Sequence, residues 1–377
     1  MPEPPVLENL SAASTVLSPD RGRVATFDRE GRWLYYFRRG ETFKRSLASD
    51  VHLRFRQPMR QRRQLTGSEA LALSAEVLRL ATELEDRVSV EAQRRIRNEV
   101  RRWSPALLAA EASRFRSAYR PIAILPPDQY LAIVLQATEG CTWNGCTFCN
   151  FYMDRPFRMK TPVEFESHVD RVAGIMGAGL RLRRGVFLGD GNALVLSNDR
   201  LDPLLDVVAT RFPGRDLFGF VDLYSGDRRT IDEWRHLVDR GLRRVYVGME
   251  TGLDELLAWV EKPGSAVELE GFVHTLKGAG LEVCLIVMTG MGGREYRRQH
   301  WRASRDLLVR LGLDTRDLIY LSPFVEHPQS RYHERRVAAG LTPMSPEEIE
   351  QDLDALAIEL RQAGLKVSRY DIQEFVY

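Results

Sequence analysis

Cysteine and lysine are the scarce residues of this 377-residue chain: there are four cysteines in all, and only five of the 54 basic residues are lysines. Apolar runs are short. None approaches the roughly 18 consecutive apolar residues that a membrane-spanning helix needs. The opening MPEPPVLENLSAAS has no basic segment leading into an apolar core, so no secretory signal is visible. Four cysteines could pair as disulfides, but three of them fall within nine residues, which favours a reducing compartment and a metal. A cytoplasmic location is expected. No recognised nucleic-acid-binding motif accompanies the arginines, and nucleic acid is not an expected partner.

What is there is uneven. Residues 21–63 hold thirteen Arg or Lys against four Asp or Glu, a local +9, which leaves −7 for the rest of a chain with net charge +2. That asymmetry marks an N-terminal module. Such a basic run is most often a solvated face, and it could also meet an anionic substrate, a partner protein or nucleic acid. Within it, RVATFDREGRWLYYFRRGETFKRSL reads as strands separated by a Glu30-Gly31 turn, with Trp33, Tyr35 and Phe37 at the strand period. From Ser68 to about Ala118 the spacing of Leu71, Leu73, Val77, Leu78, Leu80 and Leu84 predicts helix, with Ser68 as N-cap, and Ser104-Pro105 opens a second helix.

Beyond Pro126-Pro127, apolar strands alternate with amphipathic helices, the pattern of parallel β/α units. Strands are predicted at 131–137, 185–189, 217–224, 244–250, 282–288 and 317–323. The helices are placed at 162–178, 200–211, 230–240, between 253 and 278, at 294–311 and at 345–363. Six units result. The fold class expected is α/β: a partial (β/α)6 TIM-like barrel over 126–325, with a β-hairpin and helical extension (1–125) before it and a C-terminal extension (326–377) closing it.

Cys141, Cys146 and Cys149 stand in ATEGCTWNGCTFCNFY, directly beyond the end of the first barrel strand. In β/α barrels chemistry collects at the C-terminal ends of strands. Soft thiolates select zinc, copper(I) or iron-sulfur clusters. Structural zinc wants four ligands, yet the remaining cysteine, Cys284, lies 135 residues downstream and no close histidine pair follows. Three thiolates suit a cubane cluster that keeps one iron open for a ligand. A zinc knuckle is the alternative.

This run, with Phe148 just before the third cysteine, resembles the radical S-adenosylmethionine (SAM) superfamily, whose usual fingerprint is Cys-x3-Cys-x2-Cys with an aromatic residue at that place. The spacer Thr142-Trp143-Asn144-Gly145 is one residue longer than usual. The resemblance implies a six-unit open barrel, a [4Fe-4S] cluster on Cys141, Cys146 and Cys149, and SAM bound at the open iron. It further implies reductive cleavage to methionine and a 5′-deoxyadenosyl radical that abstracts hydrogen from a substrate, with an electron donor such as flavodoxin or ferredoxin as partner.

By the same resemblance, Gly189, Asp190 and Gly191 look like the segment that binds the amino group of SAM, with Asp190 in place of a glycine. Glu250 resembles the residue that hydrogen-bonds the ribose. Gly290, Gly292 and Gly293 resemble the turn along which adenine lies. Tyr224 and Ser225 could reach the methionyl carboxylate by position, although a capping or turn role is open to them as well. Tyr224, Cys284 and Tyr320 are candidates for returning hydrogen to a substrate radical. His327, which with Glu326 follows the sixth strand, is a candidate proton donor.

Further absences narrow the class. No second cysteine group exists for an auxiliary cluster. Asp50-Val51-His52-Leu53-Arg54-Phe55 begins like a cobalamin motif but carries Phe55 where glycine belongs. No C-terminal RNA-binding or acetyltransferase extension is recognised. The expected substrate is therefore a small molecule or lipid precursor, or a peptide presented without an extra cluster. A non-catalytic zinc or iron-sulfur interaction protein, working through its Arg-rich arm, is the reading from a different class.

Overall fold

A computed structural model describes residues 5–56, 60–226, 228–372 and 377. The chain divides into two compact units. One comprises residues 1–122, 170–184 and 376–377, and the other 123–169 and 185–375.

The first unit is built on an antiparallel meander of β1 (Leu7–Leu10), β2 (Ser14–Asp20), β3 (Arg23–Asp28), β4 (Trp33–Arg38), β5 (Glu41–Arg45), β6 (Val51–Arg56) and β7 (Arg60–Gln64), paired in chain order. The expected hairpin is the β3–β4 pair of this larger sheet. Most of its other strands carry few large apolar residues, and β7 carries none, so their alternation is faint in the sequence. The helices are α1 (Gly67–Glu83), α2 (Val90–Arg95) and α3 (Pro105–Ala118). Leu17, Phe27, Trp33 and Tyr36 from the sheet pack with Leu73, Val77, Leu80 and Ile96 from the helical side.

Two details differ from expectation. Trp33, Tyr35 and Phe37 do not share one environment, because a register shift at Thr26/Phe27 breaks the alternation; Trp33 and Tyr36 are buried while Tyr35 is exposed. The N-cap of α1 is Thr66 rather than Ser68: its hydroxyl accepts from Glu69 N, and the Glu69 carboxylate accepts from Thr66 N. A capping box satisfies two orphan amides, where a serine one turn-step later would satisfy one. The second helix begins as expected, on Ser104 with Pro105 at its first position.

The arginines of residues 21–63 are largely drawn into this unit. Arg29 pairs with Glu99 at 2.7 Å, Arg38 with Glu76 at 2.7 Å and Arg63 with Glu69 at 2.9 Å. Deepest is a four-membered group. Arg32 meets Asp28 at 2.8 Å and Glu111 at 3.4 Å, and Arg45 meets Glu111 at 3.4 Å, all four side chains being buried.

The second unit carries an open sheet of seven parallel strands: β8 (Ile133–Gln136), β11 (Val186–Gly189), β12 (Leu217–Val221), β13 (Leu242–Glu250), β14 (Glu282–Thr289), β15 (Leu318–Pro323) and β16 (Val367–Arg369), neighbours in that order. A small antiparallel ribbon, β9 (Thr138–Glu139) with β10 (Arg158–Met159), follows β8. The connecting helices are α4 (Pro162–Met176), α5 (Asn198–Arg211), α6 (Leu223–Gly226), α7 (Ile231–Asp239), α8 (Asp254–Trp259), α9 (Ala266–Gly278), α10 (Gly293–Arg310), α11 (Arg331–Ala338) and α12 (Pro346–Gln362). This is a partial β/α barrel. Strands buried on both faces read as near-continuous apolar runs, which is why all six expected strands are found. The seventh, β16, was not expected, because its three residues Val-Ser-Arg lie at the sheet edge and carry no apolar run. Among the described residues no helix is long and apolar enough to cross a membrane.

Replacing Glu111 by glutamine should destabilise the first unit by about 3–5 kcal/mol, since it leaves the buried Arg45 guanidinium without its carboxylate while Arg32 keeps only Asp28; the loss is measured by denaturant unfolding. In the second unit, His300 of α10 is buried with Nδ1 2.6 Å from Thr251 Oγ1. Burial pushes its pKa down to about 4 from the ordinary 6.5. The unfolded chain therefore takes up a proton that the folded chain refuses, and stability should fall as pH drops from about 6.5 to 4, by roughly 3 kcal/mol. His300→Gln should flatten that slope in unfolding curves recorded across this range.

Candidate functional site

Parallel strands bring their C-terminal ends to one edge of a sheet, and ligands collect there. In the second unit this edge surrounds a cavity of about 210 Å3. Each parallel strand after β8 supplies lining from its C-terminal end or just beyond: Gly191 after β11, Phe220 and Val221 on β12, Tyr246, Gly248 and Glu250 on β13, Ile286 and Met288 on β14, Ser322 and Pro323 on β15, and Tyr370 and Ile372 after β16. The spacing of two along β13 and β14 is that of one strand face. β8 contributes through the cysteine loop that follows it: Cys141, Cys146 and Cys149 all line the cavity, together with Trp143, Phe148, Phe151 and Tyr152.

Several bonds hold that loop in shape. Its two ends are joined by the β9–β10 ribbon, with Glu139 opposite Arg158. Against burial, which raises it, Arg158 and Lys160 hold the Glu139 carboxyl down at about 2. Inside the loop Cys149 N donates to Cys146 O, Thr147 N donates to Val260 O at 3.0 Å, and Tyr332 N donates to Thr147 O at 3.0 Å. Phe148 packs on Leu256, Val260, Met291 and Tyr332. Burial, above all, pushes the Cys146 thiol up to about 12 and the Cys149 thiol to about 11. Such sulfurs become thiolates when a metal cation replaces the hydration they have lost.

Glu250 and Lys262 form the charged pair of the cavity, with Nζ 3.0 Å from Oε1. Glu250 occupies the left-handed region at φ 58°, uncommon for a residue with a side chain, just where the β13–β14 register shifts between Gly248 and Glu250. Gly248 makes room for the pair: a Cβ there would lie 2.2 Å from Glu250 Oε1. The other carboxylate oxygen, Oε2, is buried without a hydrogen-bond partner. A buried acceptor left open costs about 1–3 kcal/mol, which a ligand hydroxyl would recover. Burial lowers the Lys262 ammonium's pKa, but Glu250 and then Cys146 outweigh it and the net shift is upward, keeping the side chain charged.

The remaining expected residues are placed as follows. Tyr224 lines the cavity at its mouth, 46% exposed, its ring 5.8 Å from that of Trp143. Ser225 does not line it; the hydroxyl donates to Asp222 Oδ1 at 2.7 Å and is bonded to Asn192. Asp190 is buried behind Gly191 beside Arg155 at 3.1 Å, and burial pushes its carboxyl up to about 6. Gly191, at the lining, has a Cβ position 2.8 Å from Gly140 O and 2.9 Å from the Tyr152 ring, so only glycine fits. Gly189 is the last residue of β11 and is buried beneath this level.

Gly290 and Gly292 also lie outside the lining. The Cβ direction of Gly290 is filled by Ile349, and the Gly292 N–H donates to Tyr332 Oη at 2.8 Å. Gly293 sets the start of α10. Cys284 and Tyr320 sit away from the cavity, toward the opposite end of the strands. Cys284 is fully buried opposite Tyr246, and the Tyr320 hydroxyl donates to Asp128 Oδ1 at 2.9 Å. His327 stands in the loop after β15, its Nδ1 accepting from Gln329 N at 3.3 Å, and does not line the cavity either. Its neighbour Glu326 is taken by His333 and Arg336.

Lys262, Asp222 and Trp143 were missed as site residues. For Lys262 the signal was its rarity: in a chain that uses arginine almost everywhere, two of the five lysines, Lys160 and Lys262, are held in buried or nearly buried ion pairs around the cysteine loop. A compact ammonium fits where a planar guanidinium would not.

Among the described residues no three His, Cys, Asp or Glu side chains are grouped for one metal ion. A cluster asks for a different arrangement, since each iron takes its own thiolate. Three soft sulfurs around a largely apolar cavity, with an open carboxylate oxygen and a glycine cradle beside them, fit a [4Fe-4S] cluster with an organic ligand.

No curated protein matches the sequence. Among solved structures, coproporphyrinogen III oxidase (HemN) from Escherichia coli, a radical SAM enzyme, is 15% identical with a TM-score of 0.48, over 67% of this chain and 56% of that one. The chain thus spans little more than half of that protein's length. Methylornithine synthase (PylB) is 16% identical at a TM-score of 0.42 over 80% and 85% of the two chains, and Streptococcus suis SuiB bound to S-adenosylmethionine is 11% identical at 0.44 over 88% and 72%. The sequence model of the radical SAM superfamily matches residues 135–302, from β8 through the cysteine loop and into α10. Over that segment, a little under half of the chain, the sequence is similar to the radical SAM superfamily.

Proposed function

We propose that Cys141, Cys146 and Cys149 hold a [4Fe-4S] cluster and that the cavity beside them takes SAM and a small-molecule or lipid-precursor substrate. The observation that carries this reading is the convergence of all three cysteines with Glu250 and Lys262 on one cavity at the strand ends. When bound, the cluster supplies one electron that splits SAM into methionine and a 5′-deoxyadenosyl radical, which takes a hydrogen atom from the substrate.

The rest is the work of this chain's own residues. Glu250 Oε2, open and buried, accepts from a ribose hydroxyl, and Lys262, 3.0 Å from Oε1, holds that carboxylate in place. Gly191 lets the backbone approach the methionyl end closely. Phe148 braces the loop between the second and third cysteines against α8 and α11. The apolar wall of β12, β14 and β15 excludes water from a reactive carbon radical. A flavodoxin or ferredoxin serves as electron donor, and the cytoplasm as its location.

Protein reconstituted anaerobically with iron and sulfide should bind about four irons per chain and convert SAM to 5′-deoxyadenosine under a strong reductant. Cys146→Ala should lose both the cluster absorbance and the product. One zinc per chain with no iron after anaerobic preparation would refute the reading. Glu250→Gln should keep its iron and weaken SAM binding by about tenfold, the order of one hydrogen bond to a charged acceptor.

A further inference from the structure

We propose that the cavity takes an uncharged, largely apolar substrate, admitted between Trp143 and Tyr224. This rests on the radical SAM reading of the same cavity.

The first support is the state of its charged groups. Three charged side chains line the cavity, and each is answered within the chain. Lys262 is paired with Glu250 at 3.0 Å. Asp222 Oδ1 accepts from Ser225 N and Ser225 Oγ, both at 2.7 Å, while its Oδ2 accepts from Asn192 Nδ2. Among the described residues no lining cation is left to receive a carboxylate or phosphate, and the open Glu250 oxygen belongs to a carboxylate paired with Lys262. Elsewhere the wall is Phe220, Ile286, Met288, Phe324, Val325 and Ile372. A charged group placed against it would lose its hydration with nothing in return.

The second support is the mouth. Trp143, Tyr224 and Val325 line the cavity and are 43%, 46% and 43% exposed, so the aromatic pair and Val325 stand where the cavity opens. Trp143 belongs to the four-residue spacer that is one residue longer than usual, and the spacer is shaped to hold it. The indole N–H donates to Glu261 O at 2.9 Å, Asn144 adopts φ 46°, and a Cβ on Gly145 would lie 2.8 Å from the indole nitrogen. The extra residue thus sets an aromatic face across the entrance, a surface that favours apolar passengers. Arg228 stacks on Tyr224 at 4.9 Å but is not part of the lining.

Three probes of one shape separate the alternatives: 1-naphthylmethanol, 1-naphthoate and 1-naphthylmethylammonium, titrated calorimetrically into the full-length, cluster-loaded protein with SAM present. The neutral alcohol should bind saturably at one site, at least about tenfold more tightly than either ion. Ile286→Glu should reverse its advantage over the cation, and Trp143→Ala, at the rim where folding is little affected, should weaken it several-fold. Equal or tighter binding of an ion, or no saturable binding of the alcohol, overturns the proposal. Iron content and 5′-deoxyadenosine formation are measured on the same preparation. If SAM is cleaved but an ion is preferred, the substrate class alone fails; if no cluster forms, the radical SAM reading fails and this inference falls with it.

Discussion

Seven strands running the same way leave seven C-terminal ends on one edge of a sheet, and the site depends on that constraint. The cysteine loop, the Gly191 turn, Glu250, the apolar tips of β14 and β15, and Tyr370 come from segments more than two hundred residues apart at the extremes, yet none has to travel to meet the others. Because strand faces alternate, Tyr246 and Gly248 face the cavity together, as do Ile286 and Met288 on the neighbouring strand. Deviations from regularity serve the same end, since the register shift after Gly248 turns Glu250 inward.

Electrostatics divide the edge into two parts. Near the cysteines, Lys262 opposes the burial that raises the Cys146 thiol, and it holds Glu250 with one oxygen still open. Farther along β14 and β15 charge disappears and the wall is apolar. On the function proposed above, a radical step would gain from such a division: the polar end would orient a charged cofactor, while the dry end would keep water and alternative hydrogen donors away from the reacting carbon. Cys284 and Tyr320 are excluded from that end by their depth in the fold, where Tyr320 is tied to Asp128.

Much of this was legible in the sequence because it is written locally. The cysteine run and Phe148 lie within nine residues, and buried parallel strands announce themselves as apolar runs whatever their partners. The N-terminal sheet was legible only at β3 and β4, where large aromatics crowd a turn; strands such as Arg60–Gln64 are polar throughout and acquire their identity only by pairing. β16 was hidden for the same reason. The Ser68 cap was displaced by Thr66 because two reciprocal bonds outweigh one.

The sequence by itself determined that three soft sulfurs stand together with an aromatic neighbour, and the order of the barrel strands and helices, since both follow from residue type and short-range spacing. Only the tertiary structure decided which residues share the cavity. Gly290, Gly292, His327, Cys284 and Tyr320 all carried plausible chemistry at plausible points along the chain, and none lines the cavity, whereas Lys262, Asp222 and Trp143 do. The physical reason is that depth and facing depend on strand register and on contacts between distant segments. A one-residue shift of register turns a side chain from one face of the sheet to the other, and spacing along the chain does not reveal that shift.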